Sequence, residues 1–287
     1  MSLDAKRYIL TLSCQDIIGI VAEVSGFLKD NQCFIVESAQ WGDSSTGKFF
    51  MRTVFEHSGR TSSAEQLQSK FESVAFNYGM EYKIYDVNTR PRLLLMVSKE
   101  SHCLNEILHR WASGLLKADI MGVVSNHQDL STMVKWYNIP FHYLPVTEDN
   151  RIEQETKIFE LMQKNQIDLL VLARYMQVLR SVFVDKIYGK AINIHHSFLP
   201  GFKGAKPYQQ AYDKGVKLIG ATAHFVSNEL DEGPIIEQEV TRVDHSYTPE
   251  RLLALGKSVE SLVLARALEY LVERRVLLND KKTVVFK

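Results

Sequence analysis

Leu93-Leu-Leu-Met-Val97 is the stretch that decides the fold, because five consecutive apolar residues predict a strand buried on both faces. Such strands are typical of parallel sheets that carry helices on both sides. Outward from this run, strand-like segments alternate with helical patterns as far as Ala191–His195. The alternation predicts an α/β fold, with a Rossmann-like domain built on a mostly parallel sheet.

The N-terminal part of the chain has a different pattern. Its strand-like and helical segments follow the order βαββαβ, which predicts a ferredoxin-like domain with two helices on one face of an antiparallel sheet. The polar, proline-containing segment 87–92 reads as a linker between two strands. The predicted domains are therefore residues 1–86 and residues 92–287.

Two helix starts stand out. Asp16 can cap the first helix, whose apolar positions at helical spacing predict one buried face made of Ile17, Val21, Val24 and Leu28. Near the other end, Thr248-Pro-Glu250 predicts a long helix that runs to about Leu278. Thr283–Phe286 is predicted as a last strand.

Composition excludes several classes of partner. The 287 residues suggest two domains, and lysine plus arginine equals aspartate plus glutamate at 34 each. This balance provides no basic field for nucleic acid or a membrane surface. No apolar run approaches the about 20 residues of a spanning helix, and the first residues lack a signal-peptide pattern. With three cysteines and no CxxC pair, we expect a cytoplasmic protein with reduced thiols.

Asn193 and His195 lie two residues apart at the carboxyl end of a predicted strand, so both side chains point to the same side. Ligands of open α/β sheets bind outside the carboxyl ends of the strands. A carbonyl placed there can accept a bond from the Asn193 amide while His195 moves a proton. The pattern predicts an enzyme that acts on an acyl or formyl group.

Asp231 lies in Leu230-Asp-Glu-Gly-Pro234, a sequence that demands a turn. A carboxylate beside an imidazole stabilises the charged form of the ring, so Asp231 is expected to act with His195. His196 and His224 suggest metal ligands, but the chain has no HxH or HExxH spacing. We expect no metal, and His224 is expected to pack under the site.

These residues resemble the folate-dependent formyltransferase family. Asn193-Ile-His195, Ser197-Phe-Leu-Pro200 and Leu230-Asp-x-Gly-Pro234 match its signature in order and spacing, over roughly Arg92–Val276. The resemblance implies that Asn193, His195 and Asp231 are catalytic, that 10-formyltetrahydrofolate is the substrate, and that no cofactor is needed. It also implies a folate pocket made of Arg174, Tyr175, Met176, Val178, Leu179, His224 and Leu230.

The N-terminal domain resembles the ACT domain, a small-ligand regulatory or dimerising module. The resemblance rests on Asp16-x-x-Gly19-Ile-Val21 and on the βαββαβ order. It implies a homo-oligomer and an amino-acid effector site at Asp16, Gly19 and Ile20. A plain oligomerisation domain without a ligand stays open as the alternative.

An ACT domain ahead of a formyltransferase domain is similar to those family members that transfer the formyl group to water. Their reaction releases formate for purine biosynthesis and balances the one-carbon folate pools. The same resemblance is carried by His196, where glycinamide ribonucleotide formyltransferases have proline, by Ala173-Arg-Tyr-Met176 and by Gly204-Ala-Lys-Pro-Tyr208.

Three alternatives remain open at this point. A glycinamide ribonucleotide formyltransferase would need a phosphate cradle, and Ser98–Cys103 after the first buried strand contains no glycine. A methionyl-tRNA formyltransferase would need a basic C-terminal RNA-binding domain. A catalytically inactive folate or amino-acid sensor could keep the fold, although Asn193, His195 and Asp231 are all present.

Overall fold

The computed structural model describes residues 6–57, 63–200 and 207–287. Its internal contacts divide the chain into two units, and each unit has its own sheet and hydrophobic core. Within the described ranges, no helix combines the length and the apolar content that crossing a membrane requires.

The two units are not simple halves of the sequence. One holds the chain up to Arg90 together with Glu273–Leu277 and Val284–Lys287. The other holds Pro91–Val272 and Leu278–Thr283. The predicted division had assigned the whole C-terminus to the second domain. The last residues group with the first unit because Val284 and Phe286 pack against Phe50.

The N-terminal unit has the predicted βαββαβ order. Its elements are β1 (Lys6–Gln15), α1 (Ile20–Asp30), β2 (Cys33–Asp43), β3 (Lys48–His57), α2 (Ala64–Tyr78) and β4 (Glu81–Asp86). The strands form one antiparallel sheet in the order β2-β3-β1-β4, so β2 is an edge strand. Apolar residues of both helices pack with β1 in one core.

The predicted start of α1 is wrong, whereas its predicted buried face is confirmed for Val24 and Leu28 but not for Ile17 and Val21. The helix begins at Ile20, after Gly19 at φ 100°, and buries Ile20, Val24 and Leu28. Ile17 is exposed, and the Asp16 side chain does not cap the helix. The left-handed conformation, which glycine adopts without strain, turns the chain at Gly19 and shifts the helical register.

The second unit is the predicted Rossmann-like domain. Its elements are β5 (Arg92–Val97), α3 (His102–Ala112), β6 (Asp119–Ser125), α4 (Ser131–Trp136), β7 (Phe141–Tyr143), α5 (Arg151–Lys164), β8 (Leu169–Leu172), α6 (Ser181–Lys186), β9 (Ala191–His195), α7 (Pro207–Asp213), β10 (Leu218–Phe225), β11 (Ile235–Arg242) and α8 (Pro249–Val272). The sheet order is β11-β10-β9-β8-β5-β6-β7. Strands β5 to β9 are parallel, whereas β10 pairs antiparallel with β9 and β11.

The buried strand predicted at Leu93–Val97 is confirmed, since each of its five residues is at most 1% exposed. The long C-terminal helix is shorter than predicted. It ends at Val272, Arg274 takes a left-handed φ of 56°, and the chain then forms the hairpin β12 (Val276–Asn279) and β13 (Lys282–Val285). A left-handed residue ends an α-helix, which explains the early stop.

Candidate active site

The carboxyl end of β9 places the first two predicted catalytic groups. Asn193 is half-buried and His195 is buried, on the same side of the strand. On the neighbouring strand β10, His224 pairs directly opposite Asn193. The Asn193 Nδ2 atom therefore lies 3.3 Å from the His224 Nε2 atom.

The turn after β10 brings Asp231 to these two strands. Its Oδ2 atom lies 3.0 Å from the His195 Nδ1 atom, and its Oδ1 atom lies 3.6 Å from the His224 Nε2 atom. Asp231 has a left-handed φ of 58°, a conformation that costs a non-glycine residue some strain. Gly233 is required nearby, because an added Cβ atom would lie 1.7 Å from the Phe225 carbonyl oxygen.

His195 keeps Asp231 ionised. Burial acts to raise the pKa of Asp231, but the hydrogen bond from His195 outweighs it and holds the pKa well below its usual range. At neutral pH the Asp231 carboxylate therefore accepts a hydrogen bond from Nδ1 of His195. The Nε2 atom of His195 is buried and has no hydrogen-bond partner among the described residues. That nitrogen is the one available to a reacting group.

His224 orients the Asn193 amide. Its Nδ1 atom lies 2.8 Å from the Phe225 carbonyl oxygen, to which it donates, so the neutral ring has an acceptor at Nε2. That acceptor takes one N–H of Asn193, and the second N–H of the amide remains for a carbonyl oxygen. Sequence reasoning placed His224 under the site but missed this contact, because cross-strand register is not visible in one sequence.

A cavity of about 250 Å³ joins these groups. Every predicted catalytic and folate-pocket residue lines it: Asn193, His195, Asp231, Arg174, Tyr175, Met176, Val178, Leu179, His224 and Leu230. Met176, Val178 and Leu230 are more than half exposed, which gives the cavity an apolar wall. The cavity can therefore hold a ligand that has a flat apolar ring next to a polar group.

Hydrogen bonds from other elements hold the cavity wall formed by residues 174–179 in place. The Met176 backbone N–H donates to the Ser98 hydroxyl at 2.9 Å, and Ser98 donates in turn to Asn126 at 2.6 Å. At the far end, the backbone N–H and the Nε atom of Arg180 each lie 2.8 Å from the Glu155 carboxylate. Sequence reasoning missed Ser98 and Glu155 as supports, since nothing in the sequence pairs either residue with this loop.

Arg174 is engaged by other side chains. Its Nη1 atom lies 2.8 Å from the His196 Nδ1 atom, and its Nε atom lies 3.3 Å from the Glu260 carboxylate. The contact with Glu260 is an ion pair without hydrogen-bond geometry. Glu260, on α8, is buried and accepts hydrogen bonds from Tyr208 at 2.6 Å and from His102 at 2.7 Å. In the predicted motif 204–208, residues 204–206 lie outside the described residues.

One group of side chains could be considered for a metal. Donor atoms of His102, Cys103 and Glu260 lie within 4.8 Å of one another. Burial, followed by the charge of Glu260, raises the pKa of the Cys103 thiol, so the sulfur is a poor ligand. The Arg174 cation already faces Glu260, and a metal ion would have to displace it.

The predicted effector residues belong to the other unit. Gly19 precedes α1, Asp16 is exposed, and the Ile20 side chain is buried in the core. The Ile20 side chain is therefore not available to a ligand in this structure.

Comparisons with known proteins agree with the geometry. The formyl transferase family matches residues 91–268. A formyltetrahydrofolate deformylase of Corynebacterium is 45% identical over 281 residues, which is 98% of either chain. A crystal structure of a Burkholderia mallei formyltetrahydrofolate deformylase is 48% identical, covers 98% of this chain and 100% of that one, and has a TM-score of 0.94. A glycinamide ribonucleotide transformylase of Symbiobacterium toebii is more distant, at 26% identity over 69% of this chain and a TM-score of 0.65.

Proposed function

Because this chain belongs to the formyl transferase family and, over nearly its whole length, to the formyltetrahydrofolate deformylases, we propose that it hydrolyses 10-formyltetrahydrofolate to formate and tetrahydrofolate. The observation that carries the proposal is the convergence of Asn193, His195 and Asp231 in one cavity. The more distant likeness to a glycinamide ribonucleotide transformylase does not favour the alternative.

In the proposed reaction the oxygen of water adds to the formyl carbon. The electrons of the carbonyl bond move to its oxygen, and the N–H of Asn193 that His224 leaves unused stabilises this oxyanion. One such donor contributes about 3 kcal/mol in favourable cases. The carbon–nitrogen bond then breaks, N10 of the folate takes a proton, and formate leaves.

His195 is the proposed proton carrier of this reaction. His195 lines the cavity, its Nδ1 atom is held by Asp231, and its Nε2 atom has no hydrogen-bond partner among the described residues. In this position the ring can take a proton from water and deliver one to N10, and Asp231 stabilises the charged ring in between. This chemistry needs only water and these side chains, so the proposal includes no cofactor.

The decisive assay mixes purified protein with 10-formyltetrahydrofolate in the absence of any amine. We expect stoichiometric release of formate and tetrahydrofolate, and much slower release by Asn193→Ala and Asp231→Ala. A protein that forms formate only after an amine acceptor is added would contradict the proposal. Tight folate binding without turnover would instead indicate the sensor alternative.

For the N-terminal unit we propose self-association. Its edge strand β2 is open to solvent along almost its whole length and presents Phe34, Ile35, Val36 and Trp41. An unpaired apolar edge of this kind pairs readily with an identical strand. A small amino acid as effector near Asp16 and Gly19, and a cytoplasmic location, belong to the same proposal and rest on the ACT resemblance and on composition.

A further inference from the structure

Two adjacent histidines form a stacked pair at the site. The rings of His195 and His196 have their centroids 4.7 Å apart and are inclined by 24°. Two positive charges at this separation repel each other strongly in a buried setting. The pair can therefore hold one proton charge easily, and the surroundings decide which ring carries it.

The contacts of the two rings differ in kind. The Nδ1 atom of His195 lies 3.0 Å from a carboxylate oxygen of Asp231, which favours the charged ring. The Nδ1 atom of His196 lies 2.8 Å from Nη1 of Arg174. A guanidinium has donors only, so Nδ1 of His196 must be unprotonated and must accept. This contact selects the neutral ring of His196, with its proton on Nε2.

Arg174 is well placed to impose this state. Its Nε atom lies 3.3 Å from the carboxylate of Glu260, a residue that is only 1% exposed. Tyr208 and His102 donate to the same carboxylate and fix its position. Burial acts to raise the pKa of Glu260, but the bond from His102, the charge of Arg174 and the bond from Tyr208 lower it overall, so the carboxylate is ionised at neutral pH.

We propose that Arg174, anchored by Glu260, is a positioning residue that keeps His196 neutral and so assigns the proton of the stacked pair to His195. Among the described residues, the charged and titratable groups around His196 include Arg174 and His195, with Glu260 and Asp231 behind them. The part of this inference that concerns catalysis rests on the proposed hydrolysis. The part that concerns protonation does not.

Ring NMR of histidine-labelled protein tests the protonation directly. The chain has nine histidines, and His196→Gln identifies the signal of His196 by its loss. In the native protein we expect no titration of His196 between about pH 5.5 and 8, whereas in Arg174→Gln His196 should compete with His195 for the one proton and its signal should move with pH within this range. Arg174→Lys keeps a cationic donor and should restore the flat response.

Arg180→Gln is the matched control, because Arg180 belongs to the same loop and is also held by a buried carboxylate, that of Glu155. Its contacts in the described part of the chain are with Glu155 and not with a histidine, so the NMR signal of His196 should still show no titration in this variant. Normal titration of His196 in the native protein would overturn the proposal, and this measurement needs no variant to fold. The proposal would also be wrong if His196 showed no titration in a folded Arg174→Gln protein.

The pH dependence of kcat/KM tests the link to catalysis. If Arg174 only binds substrate or supports the loop, Arg174→Gln lowers kcat/KM by one factor at every pH. The proposal instead expects the ratio of native to variant to grow as the pH falls from about 8 to 5.5, because His196 becomes charged beside His195. A constant ratio would refute the catalytic role. Absence of formate release by the native protein would refute the proposed function, while the NMR result would stand independently.

Discussion

At the residue scale, Asp231 links the fold to the chemistry. It takes a left-handed conformation in a turn that only Gly233 permits, and through this turn its carboxylate reaches His195 and His224. Strained backbone of this kind is found where the surrounding structure holds a side chain in place for function. The strain at Asp231 is consistent with a group that must face two imidazoles at once.

Replacing Asp231 by asparagine keeps the shape of the side chain and removes its charge. We expect kcat at saturating 10-formyltetrahydrofolate to fall by about 10²–10⁴, because the charged ring of His195 loses its counterion. Asp244→Asn is the control, since that carboxylate is exposed and bonds to Ser246 rather than to a histidine. A kcat for Asp231→Asn within a factor of two of the native value would contradict the assigned role.

Asp231 also affects how the free energy of unfolding depends on pH. Because the pKa of Asp231 is lowered by folding, its ionised form stabilises the folded protein fully above its unfolded pKa of about 3.8. This contribution is lost as the pH falls from there towards the lower pKa of the folded state. The difference in unfolding free energy between native protein and Asp231→Asn should therefore be constant at neutral pH and shrink below about pH 4.

At the element scale, the loop after β8 makes one wall of the cavity, and its supports come from distant strands and helices. Arg174 is held from α8, the Met176 backbone from the end of β5 through Ser98, and Arg180 from α5 through Glu155. These contacts keep apolar side chains exposed at the cavity wall although each would be more stable buried.

Ser98→Ala removes one of these supports and leaves the Met176 N–H without its acceptor. We expect KM for 10-formyltetrahydrofolate to rise by about 3- to 10-fold, as expected for the loss of one buried hydrogen bond, with kcat little changed. Ser101→Ala is the matched control, because Ser101 lies three residues away and its side chain makes no capping bond to α3. Equal KM values in the two variants would show that Ser98 does not shape the pocket.

At the scale of the whole molecule, the open edge of the N-terminal sheet is the feature with the largest consequence. Among the described residues β2 pairs only with β3, and its apolar residues face solvent in the single chain. Charges on an edge strand, lysine above all, are the usual means by which proteins prevent such pairing. β2 has no lysine, and its exposed charge, Glu37, is paired with Arg52, which favours assembly of copies.

Phe34→Lys places a charge on this edge, and we expect it to lower the sedimentation coefficient of the protein at micromolar concentration. Phe76→Lys is the control, because Phe76 is 85% exposed in the same unit but lies on α2 rather than on the edge strand. A native protein that sediments as a monomer would defeat the proposed assembly. An unchanged oligomer in Phe34→Lys would place its interface elsewhere.

Local pattern was sufficient for much of this protein. Three features follow from short-range signals: the continuous apolar run of β5, the alternation of strands and helices after it, and the βαββαβ order before it. The spacing of apolar residues along the chain indicates whether an element is buried on one face or on both. The pocket residues were predicted from the family resemblance and not from local pattern, and the motif residues on β9 and after β10, together with the loop after β8, all line one cavity.

Other features depended on positions far apart in the chain. The start of α1 was predicted too early because Gly19 takes a conformation that apolar spacing does not report. The contacts of His224 with Asn193 and of Glu260 with Arg174 arise from strand pairing and from the packing of α8, over sequence separations of 31 and 86 residues. The sequence alone was sufficient to predict which groups line the cavity. Only the tertiary structure decided which of them touch, because contact between distant residues is set by the packing of whole elements.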